Sequence, residues 1–234
     1  MLNNSLSVVL PAYNEEGNIL QVIEKILKIL PSITCDFEII AVDDGSTDKT
    51  ADILEKISAS DARLKVIRHS KNLGYGASLR SGFKKAQKQL ILYMDADQQF
   101  DISDITRLTA FIEDYDIVVG FREKRRDPIY RSFFSYCFNL IVRSLFGIKF
   151  QDINCGFKLF KREALRKMML FSTGSLISAE ILVKAEILKL RMKQVAVNHY
   201  PRIYGRQTGS SLKVIFTILW EMGKLKIQIS KPSF

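Results

Sequence analysis

Over its first 120 residues the chain alternates short apolar runs with segments of helical period, and this constrains the fold more than any other feature. Residues 6–10 (LSVVL), 38–42 (EIIAV), 64–68 (LKVIR), 90–94 (LILYM) and 116–120 (DIVVG) are short and mostly Val, Ile and Leu, the signature of buried strands. Between the first two, residues 18–30 place Ile19, Val22, Ile23, Ile26, Leu27 and Leu30 on one face of a helix. Further helices are expected at 47–57, 78–88 and 103–113. Such alternation predicts an α/β fold with a central, mostly parallel sheet flanked by helices. Ligands of such sheets bind beyond the carboxyl ends of the strands. The loops after Leu10, Val42 and Met94 are therefore where chemistry is expected.

The second half differs. Residues 129–148 are aromatic and helical in pattern, interrupted by Arg131 and Arg143, and 212–222 (LKVIFTILWEM) form another apolar stretch. Both fall short of the roughly 20 uninterrupted apolar residues of a spanning helix. Core helices, a dimer face and helices lying in a membrane interface all remain open for them. Charge is divided as well. Residues 1–120 carry 13 Lys/Arg against 18 Asp/Glu, and residues 121–234 carry 22 against 7, within a net charge of +10. A basic half suits nucleic acid, an anionic membrane surface or plain solvation. Helix-turn-helix, RNA-recognition and zinc-finger spacings are all missing, so nucleic acid is not an expected partner. The three cysteines form no CxxC pair, which argues against a zinc site or disulfide framework and fits a reducing cytoplasm. No basic residue precedes Val8-Val9-Leu10, and Pro11 follows, so a signal peptide is not expected.

Acidic residues gather at the predicted strand ends. Asp95-Ala96-Asp97 follows the fourth run. Two carboxylates flanking a small residue can turn toward one point, where they repel unless a cation lies between them. Mg²⁺ or Mn²⁺ takes such hard oxygen ligands together with those of a diphosphate, and Gln99 can add a neutral oxygen or a hydrogen bond. Asp43-Asp44-Gly45-Ser46-Thr47-Asp48 follows the second run. Ser46, Thr47 and Asp48 suit helix capping, but two adjacent acids, Asp43 and Asp44, have no evident structural purpose and suit a base or ribose. Pro11-Ala12-Tyr13-Asn14-Glu15 follows the first run: Pro11 is expected to end the strand, Asn14 to cap a helix, Tyr13 to cover a nucleobase and Glu15 to face the helix dipole. Asn72-Leu73-Gly74-Tyr75-Gly76-Ala77-Ser78 permits close backbone approach without matching a dinucleotide or Walker fingerprint.

Taken in order, PAYNEE, VDDGSTD, NLGYGAS and MDADQQ resemble the family-2 inverting glycosyltransferases of the GT-A fold, closest to the dolichyl- or polyprenyl-phosphate mannose and glucose synthases. The resemblance runs from Leu6 to about Ser211. It implies a catalytic domain over 1–211, followed by an amphipathic segment, 212–234, facing a membrane or partner. It also implies that Pro11, Tyr13, Glu15, Asp43 and Asp44 line the nucleoside pocket, and that Asp95, Ala96 and Asp97 meet the donor. Asp95, Asp97 and Gln99 would hold the divalent metal. Arg122 and Arg131 would grip a lipid phosphate, beside the acceptor segment Asp152-Ile153-Asn154-Cys155-Gly156-Phe157-Lys158. Arg202-Ile203-Tyr204-Gly205 resembles the loop that closes over the diphosphate; the family's following Ser-Lys is Gln207-Thr208 here, and Arg206 would supply the missing charge.

The chemistry implied is metal-assisted departure of a nucleoside diphosphate, with Asp97 and Arg202 among the catalytic residues. A monophosphate acceptor is already anionic and needs little base. A hydroxyl acceptor (on a sugar, a protein or a cell-envelope glycan) needs one, with Asp152 the first candidate and Glu180 the second. His69, His199 and Cys155 suit structural roles. The expected setting is the cytoplasmic face of a membrane, with an anchoring partner or self-association open.

Overall fold

A computed structural model describes residues 2–123, 129–205 and 212–229, with side chains for all of these except 129–134 and 212–216. The elements run β1 (Leu6–Ala12), α1 (Ile19–Ile29), β2 (Phe37–Asp43), α2 (Thr50–Ser60), β3 (Leu64–Arg68), α3 (Tyr75–Lys85), β4 (Leu90–Met94), α4 (Ile105–Thr109), β5 (Ile117–Arg122), α5 (Ile129–Phe146), β6 (Phe157–Lys161), α6 (Arg162–Arg166), α7 (Ile177–Ile187), β7 (Met192–Val197) and α8 (Leu212–Ile229). The seven strands form one sheet in the order β3-β2-β1-β4-β6-β5-β7. All point the same way except β6, which pairs antiparallel with both β4 and β5. The α/β architecture and mostly parallel sheet expected from the alternation are therefore present.

Each buried strand feeds two cores. Leu6, Val8 and Leu10 of β1 join Ile39, Leu92 and the buried face of α1 on one side of the sheet. Val9, Ile40, Ile91 and Tyr93 join Leu79 of α3 and the apolar residues of α7 on the other. The period of two along each strand supplies both layers.

Chain order reverses beside β1: β2 and β3 lie on one side, β4 on the other. β2 follows β1 to Ala12, whereas β4 pairs with it only over residues 6–9. A crevice thus opens at the carboxyl end, at the topological switch point where sheets of this kind bind ligands. Pro11 does not end the strand as its chemistry predicts; it pairs with Val42 inside β1. The missing N–H is tolerated because from Leu10 onward β1 has a strand partner on one side only.

Other boundaries differ for identifiable reasons. Asn14 caps nothing: it sits at φ +55° and bonds to the loop after β2. α2 begins at Thr50 because Asp48 Oδ1 accepts from the N–H (3.0 Å) and hydroxyl (2.6 Å) of Thr50. The helix expected at 103–113 is a 3₁₀ turn, Ile102–Asp104, followed by five residues of α4. β6 was not foreseen, since Lys158 and Lys161 break its apolar pattern; Lys158 is nonetheless wholly buried.

α7 is buried along nine consecutive residues, Ile177 to Ala185. In α8, Glu221, Met222 and Leu225 are buried while Leu219, Trp220 and Ile227 are 55–63% exposed. Lys226 Nζ ties this helix to the Leu145 carbonyl at 2.8 Å, at the end of α5, where Tyr136, Leu140, Ile141 and Leu145 are also exposed. Among the described residues no helix is long and apolar enough to cross a membrane.

Candidate active site

The loops after β1 and β2 are stitched together before either helix begins. Asn14 N–H donates to Ser46 Oγ (2.9 Å), Thr47 N–H to Asn14 Oδ1 (2.8 Å), Glu15 N–H to Thr50 Oγ1 (2.8 Å) and Lys49 N–H to Glu16 Oε2 (3.0 Å). Tyr13, 37% exposed, projects from this stitched rim. Asp43 is fully buried at the end of β2. Its Oδ1 accepts from Ser46 N–H at 3.0 Å, whereas Oδ2 accepts no hydrogen bond among the described residues and has Arg68 Nε 3.6 Å away. A buried oxygen of this kind suits an N–H or O–H of a ligand.

Asp44 corrects the view that adjacent acids serve no structural purpose. Its Oδ1 accepts from Leu73 N–H (3.0 Å) and meets His69 Nδ1 (2.7 Å), and its Oδ2 accepts from Gly74 N–H (2.8 Å). His69 Nε2 continues to Ser81 Oγ at 2.9 Å. Asp44 therefore shapes the 72–78 loop, with both oxygens accepting from its backbone. Gly74 (φ +102°) is required there, because a Cβ would lie 2.5 Å from the Thr173 carbonyl oxygen.

Across the crevice, Asp95 stands at the end of β4 with Oδ1 accepting from the Tyr75 hydroxyl at 2.7 Å. A Cβ on Gly156 would fall 1.9 Å from Asp95 Oδ2, so only glycine leaves room for this carboxylate. Burial, and then the charge of Asp97, push the Asp95 pKa up to about 7, against the opposing pull of the Tyr75 hydrogen bond, Lys158 and Arg122. Asp97 is nearly buried; its Oδ1 accepts from Gln99 N–H at 3.1 Å and its Oδ2 from Arg202 Nη1 at 3.1 Å. The same guanidinium donates from Nη2 to Glu15 Oε1 at 2.6 Å and from Nε to the Tyr204 carbonyl at 2.7 Å. Burial raises the Glu15 pKa in spite of Asn18 and Arg202, and Asp97 adds to the rise. Gln99 Nε2 reaches the Tyr200 carbonyl at 3.3 Å, fastening the 199–204 segment over the turn.

A buried carboxylate whose pKa is raised by a second one nearby forms a site that a divalent cation relieves. Among the described residues no group of three or more His, Cys, Asp or Glu could hold a metal by itself. Asp95 and Asp97 therefore fit an ion of the Mg²⁺ type, which takes one or two carboxylates and completes its shell with substrate phosphates and water. Ala96 lies in the core rather than on this rim.

Further along the sheet edge, Arg122 at the end of β5 grips Asp152 in a two-pronged pair: Nε to Oδ2 at 2.6 Å and Nη2 to Oδ1 at 2.7 Å. Asp152, expected as a base, is thus first the anchor of Arg122. Beneath them Lys158 Nζ donates to the Tyr93 hydroxyl (2.6 Å) and to the carbonyls of Ile153 (3.1 Å) and Cys155, holding the 152–156 turn. Burial pushes the Lys158 pKa down to about 8 and that of the Cys155 thiol up to about 12, so Cys155 remains an inert packing residue. Glu180, the alternative base, is no candidate. It is wholly buried in α7, accepts from the N–H groups of Phe171 (2.9 Å) and Ser172 (2.8 Å), and pairs with Lys184.

The fold thus brings Glu15, Asp95, Asp97 and Arg202 to the switch point, with Asp43 and Tyr13 toward β2 and Arg122 with Asp152 toward β5. Arg206 lies outside the described residues, and Arg131 is described only as backbone within α5. Tyr75, Gly156 and Lys158 were quoted within motifs, but their partners were not foreseen, because each acts on a residue distant in sequence.

Comparison with known proteins agrees with this geometry. The solved structure of glucosyl-3-phosphoglycerate synthase from Mycobacterium tuberculosis superposes with a TM-score of 0.71 at 22% identity, covering 94% of this chain and 81% of that one. S. aureus TarS 1-349, crystallised with UDP-GlcNAc, gives 0.67 at 19% identity, covering 98% and 68%. At such identities the likeness is one of fold. In sequence, the chain is 31% identical over 214 residues to the undecaprenyl-phosphate 4-deoxy-4-formamido-L-arabinose transferase of Proteus mirabilis, covering 91% of this chain and 65% of that protein. It is 30% identical over 205 residues to the dodecaprenyl-phosphate galacturonate synthase of Rhizobium johnstonii, covering 86% and 60%. The chain thus spans somewhat under two thirds of the length of these curated relatives. Residues 7–169 match the family described as Glycosyl transferase family 2, and with the acidic loops of β1, β2 and β4 all inside that match, the chain belongs to this family.

Proposed function

We propose that the protein transfers a sugar, with inversion, from a nucleoside diphosphate to a polyprenyl phosphate at a membrane surface. The observation that carries the reading is the meeting of Glu15, Asp95, Asp97 and Arg202 at the switch point, with the Arg122–Asp152 pair further along the same edge. Asp95 and Asp97 would hold a divalent metal, which supplies charge stabilisation for the departing diphosphate. Arg202 serves the same developing charge from the 202–205 loop, and Asp43 with Tyr13 takes the nucleoside. The donor is of the GDP-mannose or UDP-glucose type.

The choice of acceptor rests on Asp152. Both its oxygens engage Arg122, which suits a phosphate-gripping arginine better than a free general base. A monophosphate, with a second pKa of about 6, attacks as an anion and requires positioning alone. Relatives that act on undecaprenyl and dodecaprenyl phosphate support this reading. The basic second half and the exposed apolar residues of α5 and α8 support a peripheral place on an anionic bilayer.

The test is an incubation with a panel of labelled GDP- and UDP-sugars and polyprenyl phosphate, followed by solvent extraction. A labelled lipid product is expected. Label appearing only in water-soluble glycan or protein would move the reading to a hydroxyl acceptor.

A further inference from the structure

We infer that Glu221, a buried carboxylate on α8, is a positioning residue for Asp95, acting through the 173–174 turn and the first turn of α3. This rests on the glycosyltransferase reading above. The path is continuous. Glu221 Oε1 accepts from Thr173 N–H at 2.8 Å, Thr173 Oγ1 at 3.1 Å and Gly174 N–H at 3.2 Å. The Thr173 carbonyl accepts from the amides of Gly76 (2.8 Å) and Ala77 (3.2 Å), which would otherwise be open donors at the start of α3. Between Gly74 and Gly76 stands Tyr75, whose hydroxyl bonds Asp95 at 2.7 Å.

The contact has no slack. A Cβ on Gly76 would come within 2.6 Å of the Ser172 carbonyl oxygen and 2.7 Å of that of Gly174, so the two backbones touch directly. On its other flank the 73–74 segment is fixed by Asp44. Glu180 of α7 holds the Phe171 and Ser172 amides that lead into the turn, and Glu221 ties the Thr173 and Gly174 amides of the turn itself to α8.

The sequence marks the residue. Glu221 is the lone acid in an apolar run, LKVIFTILWEM, beside the chain's single tryptophan, Trp220. Trp220 is exposed and lies under Lys224, while Glu221 is 3% exposed. One helix therefore presents an apolar outer face and, one residue on, a carboxylate that fixes the turn against α3. A change in the seating of α8 alters three hydrogen bonds to the turn, and the turn carries the Tyr75 end of α3. Asp95 is thereby linked to the outer face of the molecule.

The experiment is a double-mutant cycle on the full chain, read as the dissociation constant of Mn²⁺ in the presence of UDP or GDP, whichever wild type binds. Glu221→Gln and Tyr75→Phe are each expected to weaken Mn²⁺ binding about fivefold or more, the usual lower size of a coupling. The double variant is expected to be no weaker than the weaker single one, since both cut the same path. Effects that multiply, or wild-type affinity in Glu221→Gln, would overturn the role of Glu221 and leave the enzyme reading standing. Failure of wild type to bind Mn²⁺ with either nucleotide would overturn both. A second measurement needs no Glu221 variant. Mn²⁺ with nucleotide is expected to change Trp220 emission in wild type and not in Tyr75→Phe. Equal changes in the two, or none in wild type, would count against the path.

Discussion

Arg202 and Asp97, 105 residues apart in the chain, are joined at 3.1 Å, and the other arm of the same guanidinium holds Glu15 at 2.6 Å. The arginine of the expected closing loop therefore balances two buried acids at the mouth of the crevice. On the proposed function, a diphosphate with its metal would offer Asp97 a cation and Arg202 an anion, so both would exchange one strong partner for another rather than losing one.

Asp97→Ala removes the anchor of Arg202 and, on the proposed function, a metal ligand as well. Turnover is expected to fall by about 10² to 10³ or more, the usual loss when charge stabilisation is removed from a transition state. Because Asp97 sits at the rim and its backbone turn is supported by Gln99 and Tyr200, the melting temperature is expected to stay within a few degrees. A large drop in melting temperature would assign Asp97 to stability instead.

Metal removal follows from the Asp95–Asp97 pair. Exhaustive chelation is expected to abolish transfer, and added Mn²⁺ or Mg²⁺ to restore it. Full activity in a chelated, metal-free preparation would reject the role given to the two carboxylates.

The Arg122–Asp152 pair separates acceptor from donor. Asp152→Asn keeps the size of the side chain but removes the charge that aligns the guanidinium; the KM for polyprenyl phosphate is expected to rise about tenfold while that for the nucleotide sugar stays within twofold. Arg131→Ala is expected to act in the same direction, since both arginines were assigned to one phosphate. Equal loss for both substrates would reject the clamp, and loss of all activity in Asp152→Asn with an unchanged acceptor KM would restore Asp152 as a base.

Leu219, Trp220 and Ile227 on α8, with Tyr136, Leu140, Ile141 and Leu145 on α5, form the apolar part of the surface assigned to a bilayer. Co-sedimentation with anionic vesicles is expected at low salt, and is expected to weaken in a Leu219→Ser/Ile227→Ser variant and with added salt. Failure of wild type to pellet at low salt would remove the peripheral-membrane reading.

Much of this was legible in sequence because it is local. β3 and β4 have the predicted bounds, and the buried face of α1 consists of four of the six residues that its period selects. The acidic loops lie at the strand ends because strand direction places them there. Contacts made across the chain were not legible. The hold of Asp44 on the 72–78 loop was hidden because its partners, Leu73 and Gly74, are about thirty residues away, and Lys158 gave no sign that a lysine would be buried beneath a turn. β6 was hidden by that same lysine. Glu180 stood as the second candidate base because the amides of Phe171 and Ser172 that occupy it could not be read from its own segment.

Glu38, at the start of β2 and far from the crevice, links stability to acid. Its Oε1 accepts from the Ser7 hydroxyl (2.6 Å) and Gln87 N–H (2.8 Å), and its Oε2 from Lys65 Nζ (2.6 Å). Burial alone pushes its pKa up, but these three donors outweigh it and leave the carboxyl below its ordinary value. A group whose pKa is lower folded than unfolded stabilises the protein above the unfolded value, about 4.3 for Glu, and loses that contribution as pH falls through the folded value. Glu38→Gln is therefore expected to cost about 1–3 kcal/mol near neutrality, through weakened or unmade hydrogen bonds at a buried site. The gap in melting temperature between wild type and variant is expected to hold from pH 7 to about 5 and to narrow below about pH 4. A gap that stays constant, or widens, as acid is added would show that the charge of Glu38 contributes nothing and that the variant loses packing alone.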